Sequence, residues 1–384
     1  MKKSILGGMA ALGLIIMTLG QAAGGEQWLS YRSQSDPAQA GITTRTAALD
    51  AVKSAEETPK PPAGAGEVVF FKWAAPAAKD GVVWMAVGDG GAKLYVDGNC
   101  DGKLSDDTAI NRQNNAQGGG GFPLVRILFP GEDGPVAYHV NINYYGGSGF
   151  TKLVVAPAGW YQGDVEIDGQ KMRCVLLDYN ANGTFNDVSD NPQECDRIGV
   201  SPTGGPVRPL GKYVQAEGAL YLANAASDGA WVDFEKAGEM PLGAVKVKDG
   251  MTSISFNGQL GYVTYAPEDG MVMMPAGKWR VDAWAMERRD KSNLKWIMNA
   301  TSPRKPEAFE LNEGGEVAVD SGEPVIATVT AGSGGGTYVF QESLKGRSGE
   351  SISLALESGT LPPPRLRIKN ADGTYDELMT FKYG

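Results

Sequence analysis

Histidine is almost missing from this chain of 384 residues, which carries 35 basic and 45 acidic side chains but only one imidazole, His139. A Ser-His-Asp triad, a Cys-His dyad and a histidine-rich zinc site would all have to share it, so most of that chemistry is excluded. Cysteine is scarce too: Cys100, Cys174 and Cys195 are the only three. An odd number leaves one over from any single disulfide. No Gly-x-Ser-x-Gly elbow occurs, and the glycine runs at 118–121 and 332–336 lack the Lys-Ser/Thr ending of a phosphate loop. No long helical period is visible, and beyond residue 19 no apolar run approaches the roughly 18 residues of a membrane span.

What is abundant is glycine, 53 residues against 22 prolines, without a three-residue period. With 42% hydrophobic and 21% charged residues, that composition describes a turn-rich, mostly β globular chain rather than a disordered or collagenous one. The length leaves room for two or three domains.

The chain opens with Met1-Lys2-Lys3, an apolar run over 5–19 and small residues at Ala22-Ala23-Gly24. Positive start, short apolar stretch and small residues together predict a secretory signal peptide over 1–23, with an N-terminal membrane anchor as the alternative. No lipobox cysteine follows. Residues 1–23 hold two lysines and no acid, so cleavage would move the formal charge from −10 to −12. An exported chain of this sign is expected to be secreted, periplasmic or on the cell surface, free of the membrane once cleaved. It repels phosphate backbones and favours cations, which argues against nucleic acid as a partner. In an oxidising compartment the cysteines have three readings: a Cys174–Cys195 bridge, a Cys100–Cys195 bridge, or three buried thiols.

Residues 24–66 are small and polar, ending in Thr58-Pro59-Lys60-Pro61-Pro62, and read as an extended segment, with a short helix conceivable over 47–57. From Val68 onward short alternating apolar runs recur about every ten residues between Asp-Gly, Asn-Gly and Pro-Gly turns. The clearest strand covers 136–144, with His139 on its polar face; others are expected over 218–222, 277–286, 324–329 and 365–368. Proline clusters at 201–209 and 302–306 mark boundaries. The expected organisation is a β domain over 67–200, a β-sandwich over 210–301 and a C-terminal β module over 307–384.

Two copies of one short signature, Pro157-Ala158-Gly159-Trp160-Tyr161 and Pro275-Ala276-Gly277-Lys278-Trp279, each open an alternating strand. They resemble the strand-entry signature of transthyretin-like and carboxypeptidase-regulatory-like sandwiches. The resemblance implies two or three β-sandwich modules, Ig-like or transthyretin-like, of a non-catalytic kind.

The strongest chemical signal is Asp97-Gly-Asn99-Cys-Asp101-Gly102-Lys103-Leu104, in which alternate oxygen side chains converge where a glycine allows a sharp turn. It resembles the calcium loops of the EF-hand and dockerin families. Carried over by position, that likeness implies Asp97, Asn99, Asp101 and the Lys103 carbonyl as Ca2+ ligands, with Leu104 entering the core. The twelfth position, where those families place a carboxylate, is Thr108, so Asp106 or Asp107 must close the loop. A second copy begins 81 residues later: Asp178, Asn180, Asn182, Gly183, the Thr184 carbonyl and Phe185. Asp187 stands where Asp106 stands in the first, and this shared position nominates both as closing ligands.

The leading expectation is therefore an exported calcium-binding β protein with a structural or binding role. The alternative is a carbohydrate-active protein that uses the aromatics Tyr144, Tyr145, Trp160, Tyr161 or one of Trp279 and Trp284, or a carboxylate pair from Asp164, Glu166 and Asp168. A sugar or another cell-surface protein is the expected partner besides calcium.

Overall fold

The computed structural model describes residues 25–53, 58–114, 120–147, 150–303, 306–335, 337–357, 359 and 361–381. The expected signal peptide lies outside the described residues. Strand makes up 55% of the chain and helix 2%, so the protein is mostly β. The period-two alternation is realised directly: Val136–Gly147 buries Tyr138, Val140 and Ile142 while the residues between them stay half-buried. Strands are also found at Ala219–Ala225, Gly277–Arg289, Ile326–Gly334 and Arg365–Lys369, where the sequence predicts them. Among the described residues no helix is long and apolar enough to cross a membrane.

Two apolar cores organise these strands. The first draws side chains from four sheets: Phe71, Trp73 and Met85 from one, Ile127, Tyr138 and Leu153 from a second, Tyr161, Met172 and Leu176 from a third, and Val214, Val232 and Phe234 from the largest. The second core, from Val245 to Leu311, centres on Phe256, Trp279, Trp284 and Met286. The proline-rich stretch at 201–209 therefore does not separate the cores. Strands Arg197–Ser201 and Arg208–Pro209 pair with each other across it, and Val214 to Phe234 belong to the first core. Proline density marked a sheet edge and a turn, both compatible with one continuous core.

The N-terminal segment is likewise more than a linker. Gln27–Trp28 pairs with Trp231–Lys236, Ser30–Ser33 with Gly159–Ile167, and Ala47–Asp50 with Phe150–Pro157. The short helix conceivable over 47–57 begins instead as the strand Ala47–Asp50, and its last four positions, 54–57, lie outside the described residues. Small and polar residues suit an edge strand whose side chains are only half covered, a state that composition alone does not distinguish from an extended linker. Tyr31 from this segment stacks on His139 at 5.7 Å, and its hydroxyl accepts a hydrogen bond from the His139 amide at 2.9 Å. The imidazole is thereby covered, and burial lowers its pKa.

Both Pro-Ala-Gly signatures sit at corners. Phe150–Pro157 and Gly159–Ile167 belong to different sheets, as do Met271–Pro275 and Gly277–Arg289, so each signature carries the chain from one sheet into another. The aromatic that follows enters the interior: Tyr161 and Trp279 are 6% and 1% exposed. Glycine is required at the first corner, because a Cβ on Gly159 would overlap the Tyr31 hydroxyl.

The C-terminal stretch has no core of its own among the described residues. Among the described residues after Leu311 no hydrophobic side chain is fully buried, and Val317, Val319, Ile352 and Leu354 pack onto the second core from its rim. Among the described residues the last hairpin, Arg365–Lys369 with Asp376–Thr380, pairs with no other strand. A two-stranded hairpin contributes little by itself. Ending the chain at residue 360 should therefore change the unfolding midpoint by no more than about 2 °C, read by differential scanning calorimetry. A larger drop would mean that this hairpin is part of the second core.

Candidate metal-binding loops

Each loop begins where a buried strand runs out. Lys93–Val96 leads into the first and Gln170–Leu177 into the second. In both, the first aspartate is completely buried and turns its carboxylate back onto the amides of its own loop. Asp97 accepts hydrogen bonds from the Asp101 and Gly102 amides, both at 3.0 Å. Asp178 accepts from Ala181 at 2.7 Å, Asn182 at 3.3 Å and Gly183 at 2.7 Å. The turn needs a left-handed residue at the fourth position, Cys100 at φ 56° or Ala181 at φ 61°, and again at the sixth, Gly102 at φ 83° or Gly183 at φ 89°. The eighth residue enters the interior as expected: Leu104 is 0% and Phe185 2% exposed. Two segments of different sequence thus close in the same way.

Around this common frame the loops differ. In the first, Asn99 Oδ1 accepts from the Asp101 amide at 3.2 Å, Asp101 Oδ1 from the Lys103 amide at 2.9 Å, and Asp101 Oδ2 pairs with Lys103 Nζ at 3.1 Å. Asp106 is exposed. It is Asp107 that turns towards the loop, one oxygen accepting from the Gly98 amide at 3.4 Å and the other, Oδ2, buried without a partner. The nomination of Asp106 from its alignment with Asp187 thus meets a different local geometry, because the first loop is one residue longer before its carboxylate turns in. Burial pushes the Asp97 carboxyl up, and that of Asp107 up to about 6.

In the second loop Asp187 does face inward. Its Oδ2 accepts from Asn180 Nδ2 at 3.2 Å, Asn182 Nδ2 at 2.8 Å and Thr184 Oγ1 at 2.7 Å. The Asn182 Oδ1 in turn accepts the Thr184 amide at 2.9 Å and shares the single Thr184 hydroxyl proton with Asp187, while Asn180 Oδ1 is buried and unpartnered. Asp178 also accepts from the Tyr138 hydroxyl at 2.6 Å, and Trp73 Nε1 donates to the Ala181 carbonyl at 2.8 Å, so this loop is tied to the first core. Phe185 packs edge-on against Tyr161 at 5.1 Å.

A residue that the motif does not contain completes this second site. Asp196, completely buried, accepts from the Tyr179 amide at 3.1 Å and the Asp187 amide at 2.8 Å. Burial, and next the charge of Asp178, hold its carboxyl well above the usual range, and burial raises Asp178 as well. The pairing of Leu177 with Arg197 brings Asp178 and Asp196 side by side. A strand expectation at 197–201 would have been the signal for it.

Among the described residues no three His, Cys, Asp or Glu side chains gather as a ready-made metal site. A loop of this type draws also on carboxamides, hydroxyls and main-chain carbonyls, and the unpartnered oxygens of Asp107 and Asn180 are of that chemistry. Raised carboxyls also make a sign-definite expectation. Asp107 holds its proton more tightly in the fold than at its ordinary 3.8, so the stability that this proton contributes is present at low pH and lost as pH rises towards about 6. In chelator, an Asp107→Asn variant should gain stability relative to the parent as pH rises from about 4 to about 6, followed by urea unfolding. A constant difference across that window would place Asp107 in water.

The other candidates are accounted for differently. Cys100, Cys174 and Cys195 are buried free thiols, and burial pushes Cys100 and Cys174 up to about 12. Asp164 pairs with Lys171 at 2.8 Å and Arg173 at 3.4 Å, and Asp168 with Lys236 and the Tyr221 hydroxyl. These partners hold both carboxyls below the usual range, ionised and poorly suited to donate a proton. Trp160 and Tyr161 are buried, and Tyr145 is exposed without them, so the four aromatics form no platform. Trp279 and Trp284 both face the second core, since the pairing with Met251–Gly258 shifts register between Ser255 and Phe256, leaving Asp282 as an extra residue. That bulge reverses the alternation between the two tryptophans.

Comparison with known proteins adds no relative: no family model, curated protein or solved structure matches the chain.

Proposed function

We propose that the protein is an exported, calcium-binding β protein whose role is structural or binding rather than catalytic. The observation that supports this reading best is the shared closure of the two loops. Both bury a carboxylate that forms no ion pair among the described residues, wrap it in two or three loop amides, and leave a further oxygen, on Asp107 or Asn180, buried and unpaired. Burying anionic carboxylates and orphaned oxygens costs free energy that a divalent cation offsets.

In the first loop Asp97, Asn99, Asp101, the Lys103 carbonyl and Asp107 would hold the ion. In the second the set would be Asp178, Asn180, Asn182, the Thr184 carbonyl and Asp187. Six to eight oxygens in an irregular shell suit calcium, whereas magnesium demands stricter octahedral geometry. The ion would contribute neutralising charge and would fix turns that join the sheets of the first core. Export rests on the N-terminal pattern of Lys2-Lys3, a short apolar run and small residues at Ala22-Ala23-Gly24. The test is thermal unfolding in calcium against chelator, with magnesium as control, and an unchanged midpoint in calcium would overturn the reading.

A further inference from the structure

The largest sheet of the protein runs from Gln27–Trp28 at one end to Ile326–Gly334 at the other. That last strand pairs with Thr337–Lys345 over nine residue pairs in unbroken register, whereas, among the described residues, Thr337–Lys345 joins the rest of the sheet through Leu344 and Lys345 alone. Most of the hairpin therefore projects as a two-stranded ribbon. Every residue of Ile326–Gly334 is exposed. Directly opposed residues share one side of such a ribbon, so Val329 and Ala331 lie on the face of Tyr338 and Phe340, whose rings stack at 6.5 Å.

A free strand edge offers N–H and C=O groups to any other strand, and proteins guard such edges with charges, proline, bulges, shortness or a covering element. The edge Ile326–Gly334 has none of these guards. The chain carries no charged side chain from Pro324 to Gln341, the strand itself holds no proline, its pairing shows no bulge, and its nine residues span about 30 Å. The other sheet ends differ. Among the described residues, every other terminal strand of four or more residues contains a charged residue or a proline, as Val125–Phe129 contains Arg126 and Met271–Pro275 ends in Pro275. Gln27–Trp28, at the opposite end of the same sheet, is two residues long, and the inner strand of the ribbon carries Glu342.

What fits this edge follows from the same comparison. Head-to-tail assembly would need a second unguarded edge on the chain, and the described sheets offer none. Pairing of the edge with its own copy needs no second surface, because antiparallel strands related by a twofold axis are complementary to each other. A formal charge of −10 makes two copies repel, and least so where neither brings a charge. A two-stranded ribbon is also marginally stable by itself, so further strands supply the cross-strand partners it lacks. We infer that Ile326–Gly334 pairs antiparallel with the same strand of a second copy, about a twofold axis near Thr330, so that the large sheet continues from one copy into the other. The inference goes beyond the calcium reading, and the ribbon shares no residue with either loop.

The test is sedimentation velocity on the protein from residue 24 onward, from about 1 µM to about 1 mM, in calcium and in chelator. An interface one strand wide lies below the standard size, so a reversible monomer–dimer equilibrium with a dissociation constant of about 10–100 µM is expected. A Val329→Lys, Ala331→Lys double variant should weaken it about tenfold or more and keep the unfolding midpoint of the dilute parent, since both side chains are exposed. Mixing that variant with Val329→Glu, Ala331→Glu should restore a dimer of at least the parent's affinity, which loss of local structure would not do. Should either variant fail to fold, hydrogen-exchange mass spectrometry of the parent decides, with exchange over 326–334 slowing as concentration rises. A parent that stays monomeric up to 1 mM, which would leave the edge to a foreign strand, overturns the inference. So does a dimer that the paired lysines leave intact, and so do open-ended assemblies larger than a dimer. The calcium response of the unfolding midpoint is read separately at low concentration, so failure here leaves the loop proposal standing.

Discussion

Calcium in excess over chelator should raise the unfolding midpoint of residues 24–384 by about 5–10 °C. A site filled at about 100 times its dissociation constant adds roughly 2.7 kcal/mol to the fold that contains it, and about 1 kcal/mol corresponds to 2–4 °C for a unit of this size. Magnesium at equal concentration should give a smaller rise. In an Asp97→Ala, Asp178→Ala double variant the response should vanish. That variant also loses midpoint in chelator, because the Gly102, Ala181, Asn182 and Gly183 amides lose their acceptor, the Asp101 amide keeps only Asn99 Oδ1, and the Tyr138 hydroxyl loses its own acceptor. Each buried group left unpaired costs about 1–3 kcal/mol. The decisive quantity is therefore the difference between calcium and chelator for each protein, with a calorimetric titration counting the sites. If calcium leaves the parent's midpoint unchanged, the loops are turns closed by carboxylates and amides alone, and the proposal fails.

Trp284→Ala should destabilise the protein by about 3–5 kcal/mol, among the largest effects of any single change. The side chain is 2% exposed and fills the second core beside Phe256 and Met286. Its Nε1 donates at 3.0 Å to Glu350, a carboxylate that is itself completely buried and also accepts the Ser348 amide at 2.8 Å. Truncation opens a cavity and removes one of the donors on which that buried carboxylate depends. Urea unfolding should show a lowered midpoint with an unchanged slope, whereas Tyr145→Ala, on an exposed ring, should change stability by less than about 0.5 kcal/mol. A Trp284→Ala cost below about 1 kcal/mol would place that ring at the surface and remove the bulge at Asp282 from the fold.

The two tryptophans show where sequence reading stops. Strict alternation over 277–286 puts Trp279 and Trp284 on opposite faces, and nothing in the local residues announces an extra residue at Asp282. The bulge exists because Gly277–Arg289 pairs with Met251–Gly258 on one side and Lys295–Thr301 on the other, and a strand held from both sides adopts the register its partners allow. The same limit applies to Asp196. It joins Asp178 only through the pairing of Gln170–Leu177 with Arg197–Ser201, a relation between residues 18 positions apart with no motif to mark it.

By itself the sequence determined the strand class, the turns and the frame of both loops. Alternation, left-handed positions and an aspartate turned onto its own amides are decided within a few residues by backbone sterics and local hydrogen bonds. Only the tertiary structure decided that the strands of 27–50 close three sheets, that one core runs through the proline-rich stretch to Phe234, and that Asp107 rather than Asp106 faces the first loop. Those outcomes depend on which strands meet and in what register. Register is selected by burial summed over many distant side chains, a quantity that no short window of sequence contains.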